Sequence, residues 1–300
     1  FSHLKYYKAN LEEFTNIYVY PDYSAYFSFL RTNMRLFLEI SFRNLYYFLT
    51  RKAVRQFNRL AFQYGDAPRY SPRKIKVNGW ELQVPDALSF IYQFREILVE
   101  ESYLFNCNKS NPIIIDCGSN IGLSGIYFAN RFKDAAIYCI EADQAIAQTL
   151  AWNLKNNNAS QVNVIAKAVW THNDGVRFSS EGSDGGSIDN NSTADLIPSM
   201  SLKEMLGKFE SIDFLKIDIE GAENTVIPDC SAELHKVNQL FIEYHSTAKE
   251  NQSLGNILSI LSNAGFHYYI KTENKRNHPF VNRHENKTYD LQLNIFAYKK

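Results

Sequence analysis

From Ile113 to Tyr298 short apolar runs alternate with amphipathic stretches of helix length, and few folds accommodate that alternation. Ile113-Ile114-Ile115 reads as a buried strand, Ile121 to Phe132 as a helix, Ala136 to Ile140 as a strand, Gln144 to Asn156 as a helix and Val162 to Ala166 as a strand. Further on, Phe214 to Ile217 and Leu240 to Tyr244 are strands, Leu254 to Ala264 is a helix, and Phe266 to Ile270 and Leu293 to Tyr298 are closing strands. Strands separated by helices join through crossovers, so the expected fold is α/β, a mostly parallel sheet with helices on both faces. Ligands of such sheets gather beyond the carboxyl ends of the strands.

The preceding part reads differently. Asn78-Gly79 separates Ile75-Lys76-Val77 from Trp80 to Val84 and predicts a hairpin over 75–84, because both central residues of a two-residue turn must accept positive φ. Helical spacing also runs from Phe90 to Tyr103. Before the hairpin, Phe27, Leu30, Met34, Phe37, Leu45, Phe48, Ala53, Phe57, Leu60 and Tyr64 recur at helical intervals, predicting one long helix or two consecutive ones. Arg31, Arg35, Arg43, Arg51, Lys52, Arg55 and Arg59 make its polar side basic. A lid or homo-oligomer contact is the first expectation for this extension, and peripheral membrane contact the second. Gly65 to Pro72 reads as a linker, so the expected division is a helical extension over 1–72 and a second domain over 73–300 whose core spans 111–300.

Composition narrows the function. Lys+Arg (32) balances Asp+Glu (32), which argues against a nucleic-acid binder driven by bulk charge. No apolar run approaches the roughly 20 residues that span a bilayer; Leu36 to Leu49 comes nearest and is interrupted by Glu39 and Arg43. Cys107, Cys117, Cys139 and Cys230 lack metal-ligand or disulfide spacing and read as free thiols in a reducing, cytoplasmic compartment. The chain opens at Phe1 rather than Met, as an excised piece of a longer protein would.

Three blocks carry chemistry. The first strand runs through Asp116-Cys117-Gly118-Ser119-Asn120-Ile121-Gly122 into a helix, with Gly118 allowing a tight turn and Gly122 a close approach. The glycine spacing is not that of a dinucleotide loop, and no Gly-Lys-Ser/Thr is present for a triphosphate, which places a dehydrogenase reading last. Glu141 ends the next strand, where a carboxylate can accept both hydroxyls of a ribose. With Asp116 expected at the loop, the pair suits a ribose-bearing cation such as S-adenosylmethionine rather than a pyrophosphate. In the second block a strand emerges into Asp218, Glu220 and Glu223 around Gly221, with Lys216 placed to neutralise part of the charge. The third, Glu243-Tyr244-His245, is expected just past the following strand and supplies an imidazole suited to general-base work.

Together, Asp116 to Gly122, Glu141, Leu215 to Glu223 and Phe241 to His245 resemble the FkbM family of S-adenosylmethionine-dependent methyltransferases, over roughly Ile75 to Lys300. The resemblance implies a class I, Rossmann-like methyltransferase fold, a seven-stranded sheet whose last strand is antiparallel, and methylation of hydroxyls on sugars, polyketides or surface glycans. By the same resemblance Asp116, Gly118, Ser119, Asn120 and Gly122 line the methionine end of the cofactor and Glu141 holds its ribose. Asp218 and Glu220 then face the transfer centre, with Glu243 and His245 at its border. A Thr-Leu-Asp usual in the family is replaced here by Ser201-Leu202-Lys203.

The expected reaction is in-line methyl transfer to a sugar-like hydroxyl, with His245 taking the proton and Asp218 or Glu243 orienting it or acting in its place. A divalent ion on Asp218 and Glu243 is a less favoured route. A catalytically silent methyltransferase-like module that binds a partner is the alternative function. Two segments are expected to shape acceptor choice: Phe178 to Asp195 as a mobile loop, and the basic stretch Lys271 to Lys287 with Lys275, Arg276, His278, Arg283 and His284.

Overall fold

A computed structural model of the chain describes residues 45–180, 186–188, 195–247, 251–273, 276–282 and 289–299. The part of the expected helical stretch before residue 45, with Arg31, Arg35 and Arg43, lies outside them. Two compact units are present, Phe1–Arg55 and Gln56–Lys300. Among the described residues no helix is long and apolar enough to cross a membrane.

Helix α1 (Lys52–Tyr64) buries Leu60. Strands β1 (Arg73–Val77) and β2 (Trp80–Val84) form the expected hairpin, with φ of +55° at Asn78 and +84° at Gly79. Residues 65–72 are tied down rather than loose: Tyr70 N–H donates to Asp86 Oδ1 (3.1 Å) and Arg69 pairs with Asp86 (2.9 Å). Asp86 also caps α2 (Ala87–Phe94) by accepting from Ser89 N, and the helix passes into a π turn, Arg95–Val99.

The alternating part follows as β3 (Ile113–Cys117), α3 (Leu123–Arg131), β4 (Ala136–Glu141), α4 (Gln144–Asn156), β5 (Asn163–Ala166) and β6 (Ala168–Trp170). Next come β7 (Val176–Ser180), β8 (Gly186–Ile188), β9 (Leu196–Ile197), β10 (Ser199–Ser201) and α5 (Leu202–Gly207). The chain ends through β11 (Ile212–Ile217), α6 (Glu223–Asp229), β12 (Val237–Ser246), α7 (Leu254–Asn263), β13 (His267–Thr272) and β14 (Leu291–Tyr298).

Seven strands form the main sheet in the order β13-β14-β12-β11-β3-β4-β5, with β14 antiparallel to both its neighbours and the other pairs parallel. The class I methyltransferase arrangement expected from sequence is therefore present. Winding goes outward from β3 through β4 to β5, then returns to place β11 on the other side of β3. Beyond the carboxyl ends of β3 and β11 the crossovers run in opposite directions, which is where sheets of this kind place a ligand crevice. Side chains alternate across the sheet: Ile114, Phe214 and Phe241 join one core cluster, Ile115, Leu215 and Leu240 the other. On the first face Phe105 stacks on Phe214 (4.8 Å) and Tyr103 meets Phe241 edge-on (5.0 Å).

Two expectations need correction, and a third falls largely outside the described residues. The stretch from Phe178 is not simply a loop: β7 pairs antiparallel with β8 and β9, because Val176 is buried and the arms satisfy each other's backbone groups. Residues 181–185 and 189–194 of it lie outside the described residues. In the basic stretch, Lys275, Arg283 and His284 are likewise outside them, while Arg276 is already paired with Asp290 (2.8 Å). Finally, β12 runs to Ser246, past the strand expected over Leu240 to Tyr244, so His245 lies within a strand along with Glu243, the two held by pairing with Gln292 and Asn294 of β14.

Candidate active site

The turn after β3 is built from backbone. Gly118 and Ser119 N–H groups both donate to Ile140 O (3.0 Å each), and Asp218 N–H donates to Cys117 O (3.1 Å). Gly118 has φ +81°, and a Cβ there would lie 1.7 Å from Asp218 O, so any side chain would force the mouths of β3 and β11 apart. Gly122 has φ +85° and packs against Leu150 at the start of α3. Glu141 lies under this turn, its Oε2 accepting from Asn120 N (2.8 Å) and its Oε1 from Asp143 N (3.0 Å). Burial pushes its carboxyl up to about 7 against the pull of those two donors. A carboxylate has about four acceptor sites, so hydroxyls of a ligand can still be accepted there.

Two residues of the turn do not face the crevice as expected. Asp116 is fully buried, with Oδ2 accepting from Ser124 Oγ (2.5 Å) and Oδ1 3.5 Å from Lys216 Nζ. Its position follows from register, since Lys216 stands directly opposite it on β11 and shares its face. Ser119 turns its hydroxyl inward to Asp116 O (2.8 Å).

Beyond β11 and β12 the site is crowded with carboxylates. Lys216 Nζ donates to Gly118 O (2.8 Å) and Asp218 Oδ2 (3.0 Å); burial opposes its charge, but Asp218 and Asp116 hold the proton well above the usual lysine range. Glu220, at φ +54°, accepts from Tyr289 OH (2.7 Å). Burial and the neighbouring Asp218 push its carboxyl up to about 8. Glu243 accepts from Gln292 Nε2 and is pushed to about 7 by burial and Asp218. Glu223 is fully buried and fastens the loop to α6, its Oε1 accepting from Ile219 N (2.7 Å) and its Oε2 from Gly221 N (2.8 Å).

His245 sits at the centre, 1% exposed. Its Nδ1 is 3.4 Å from Glu223 Oε1, and its Nε2 is 3.7 Å from both Glu220 Oε2 and Glu243 Oε1. Burial alone would drive the proton off, but the hydrogen bond to Glu223 and the charges of Glu223, Glu220 and Glu243 hold it up to about 10. The surrounding carboxylates therefore favour the protonated imidazole in the ligand-free site, and His245 would have to lose that proton before serving as the general base expected from sequence.

Sequence reasoning missed four contributors. Glu223 was visible only as one more carboxylate of its block, and Tyr289 and Gln292 carried no signal before strand pairing placed them beside β12. Glu96 arrives from the π turn, where its Oε1 has no accessible surface and no hydrogen-bond partner. Burial and the charges of Glu243 and Asp218 push it up to about 8. Lys203, in place of the family's usual acid, is exposed on α5 behind the cap formed by Ser201, whose Oγ accepts from Glu204 N (3.2 Å).

Asp218, Glu220 and His245 each offer a ligand atom, all within 4.8 Å of one another, so among the described residues the geometry gathers this set as a possible ion site. An ion bound there would have to displace the proton of His245. The prevailing feature is an excess of carboxyl groups: Glu96, Asp116, Asp218, Glu220, Glu223 and Glu243 converge on Lys216 and His245, and the raised values of Glu96, Glu220 and Glu243 mean that part of this set keeps its protons until a further positive charge arrives. Glu96 Oε1 has no hydrogen-bond donor, and Asp116 Oδ1 has only the Lys216 ammonium facing it at 3.5 Å. Such a site fits a cationic ligand that also carries hydroxyls.

A 70-residue stretch is 36% identical to methyltransferase sdnD of Sordaria araneosa, spanning 23% of this chain and about a quarter (26%) of that protein. The crystal structure of methyltransferase FkbM from Methylobacillus flagellatus KT is similar at a TM-score of 0.45 and 18% identity, covering 82% of this chain and 59% of that one. M. jannaschii TYW2, solved with AdoMet, is similar at a TM-score of 0.42 and 13% identity, covering 78% and 89% respectively. The family described as methyltransferase FkbM domain matches residues 116–268, from the buried aspartate of β3 into β13. This span takes in Gly118, Glu141, the Asp218 to Glu223 block, Glu243 and His245, and the chain belongs to the FkbM methyltransferase family.

Proposed function

We propose that the chain is an S-adenosylmethionine-dependent O-methyltransferase acting on a hydroxyl of a sugar or glycan-like acceptor. The observation that carries the reading is the surplus of buried carboxylate beside a glycine turn and a strand-end Glu141, which suits a donor that is at once a cation and a ribonucleoside. Glu141 would take the ribose hydroxyls, the backbone of Gly118 to Gly122 would lie along the amino-acid end, and Asp218 and Glu243 would face the reacting end. When bound, the donor supplies an electrophilic methyl group on a positively charged sulfur.

The chain's own work is then to hold the acceptor oxygen in line with that methyl, about 3 Å away, and to keep water out. A sugar hydroxyl gives up its proton only as the new bond forms, so a nearby base is required. Glu243 fills that role better than His245. Its pKa is held near 7, it is within a strand, and Gln292 fixes the carboxylate. His245 stays protonated and positions Glu220, Glu223 and Glu243 around itself. The acidic surplus also favours a neutral or hydroxyl-rich acceptor over an anionic one at this mouth.

Incubation with methyl-labelled donor and a panel of nucleotide sugars and surface polysaccharides, followed by mass analysis, tests the reading. A methyl ether on an acceptor hydroxyl supports it. Label on carbon or nitrogen, or transfer that survives in Glu243→Gln at the wild-type rate, overturns the chemistry proposed.

A further inference from the structure

The end of α2 is unusual for a helix that only covers a sheet. After Phe94 the hydrogen bonding changes to a π turn, with Glu100 N–H donating to Arg95 O (2.9 Å), and the turn re-aims Glu96 from the direction an uninterrupted α-helix would give it. Glu96 is thereby brought toward Asp218, Glu243 and Lys216, with the Tyr103 hydroxyl hydrogen-bonded to its carboxyl. The hydrogen bond from Tyr103 does not offset the cost: a third carboxyl is added to two that already repel it, and its Oε1 is sealed from water with no donor. Lys216 does not supply one, because its ammonium is committed to Gly118 O, Asp218 Oδ2 and the facing Asp116 Oδ1. Glu96 also lies before the family match, which begins at residue 116.

A costly turn that delivers a carboxyl with one oxygen left without a donor to a crowded acidic site makes sense when a ligand brings the missing positive charge. Resting on the donor reading above, we propose that Glu96 is a donor-binding residue whose carboxylate faces the sulfonium of S-adenosylmethionine, opposite Asp218 and Glu243. The family's strand-mouth blocks would then be completed from outside the matched region by the helix that precedes it.

S-adenosylhomocysteine lacks the methyl and its charge but keeps the ribose and amino-acid ends, so comparison of the two ligands isolates the sulfonium. Calorimetric titration of wild type and Glu96→Gln with each ligand is the test. Loss of an ionic partner at the sulfonium is expected to weaken S-adenosylmethionine about ten-fold while S-adenosylhomocysteine changes less than about two-fold. Equal weakening of both ligands, or no change in either, overturns the proposal and leaves the donor reading standing. If wild type binds neither ligand, the donor reading itself fails and the proposal with it. Glu96→Met, which fills similar volume without a polar atom, gives the same comparison should Glu96→Gln not fold, and a melting curve of each variant identifies that case.

Discussion

The mouth of β3 and β4 and the mouth of β11 and β12 are neighbours with opposite economies of charge. At the first, the turn is held by backbone donors on Ile140 O, and Glu141 already accepts two N–H groups. At the second, Asp218, Glu220 and Glu243 are pressed together around His245, and the carboxyls of Glu220 and Glu243 are forced to pKa values of about 8 and 7. The difference teaches that one half of the crevice is shaped in advance, whereas the other stores electrostatic repulsion that a cationic ligand relieves.

The largest effect should come from Gly118→Ala, which drives a Cβ into Asp218 O and requires the two mouths to separate. A loss of at least about 4 kcal/mol in urea denaturation, with donor binding abolished, is expected. A near-native midpoint would show that the close approach is dispensable. Next, Glu223→Ala removes the partner of a buried imidazolium and frees the N–H groups of Ile219 and Gly221. It should cost about 3–4 kcal/mol, and Glu223→Gln, which keeps one acceptor, should recover part of it. Equal stability of the two variants would mean that Glu223 serves only as filler.

Glu243→Gln should leave the fold intact and lower turnover with saturating acceptor by about 100-fold, a loss that His245→Gln should not match if the carboxylate is the base. Equal losses would return the proton to the imidazole. The stored repulsion also predicts a pH dependence of stability. Glu141 and Glu243 near 7, and Glu96 and Glu220 near 8, all lie above the ordinary 4.5, so their contribution is full below about 4.5 and is lost as pH rises through 7 to 8. His245 acts in the same direction, its contribution full below about 6.5 and lost as pH rises through about 10. The melting temperature of the ligand-free protein should therefore fall from pH 6 to pH 9, and fall less with donor present. A flat or rising profile would contradict the stored repulsion. The smallest effect should be Gly221→Ala. Its φ is +99° but nothing lies within 4 Å of the added Cβ, so about 1–2 kcal/mol of backbone strain is the expected cost.

The preformed half was the more legible in the sequence. Its strands are continuous apolar runs because both faces of a parallel sheet are covered, and Gly118 and Gly122 mark the turn they make possible. The electrostatic half depends on register, which no local pattern carries. Lys216 beside Asp116, Gln292 beside His245 and Asn294 beside Glu243 follow from which residues pair across strands far apart in the chain. Polar side chains in β12 hid its true length, since Glu243 and His245 read as a strand's end when they are within it. Glu96 was hidden by a change of helical pitch, because an α-helical periodicity assigns its side chain a different direction. The segment after Phe178 misled through composition: its polar residues suggest a loop, whereas alternate backbone pairing makes strands of it.

The measurement that bears most directly on the account is a calorimetric titration of the wild-type chain with S-adenosylmethionine, repeated with Asp218→Asn and Glu141→Gln. One-to-one binding, weakened about ten-fold or more by each substitution, is the predicted result. Absence of heat with the wild type, or affinity unchanged when either carboxylate is neutralised, would contradict the claim that this crevice holds a cationic methyl donor.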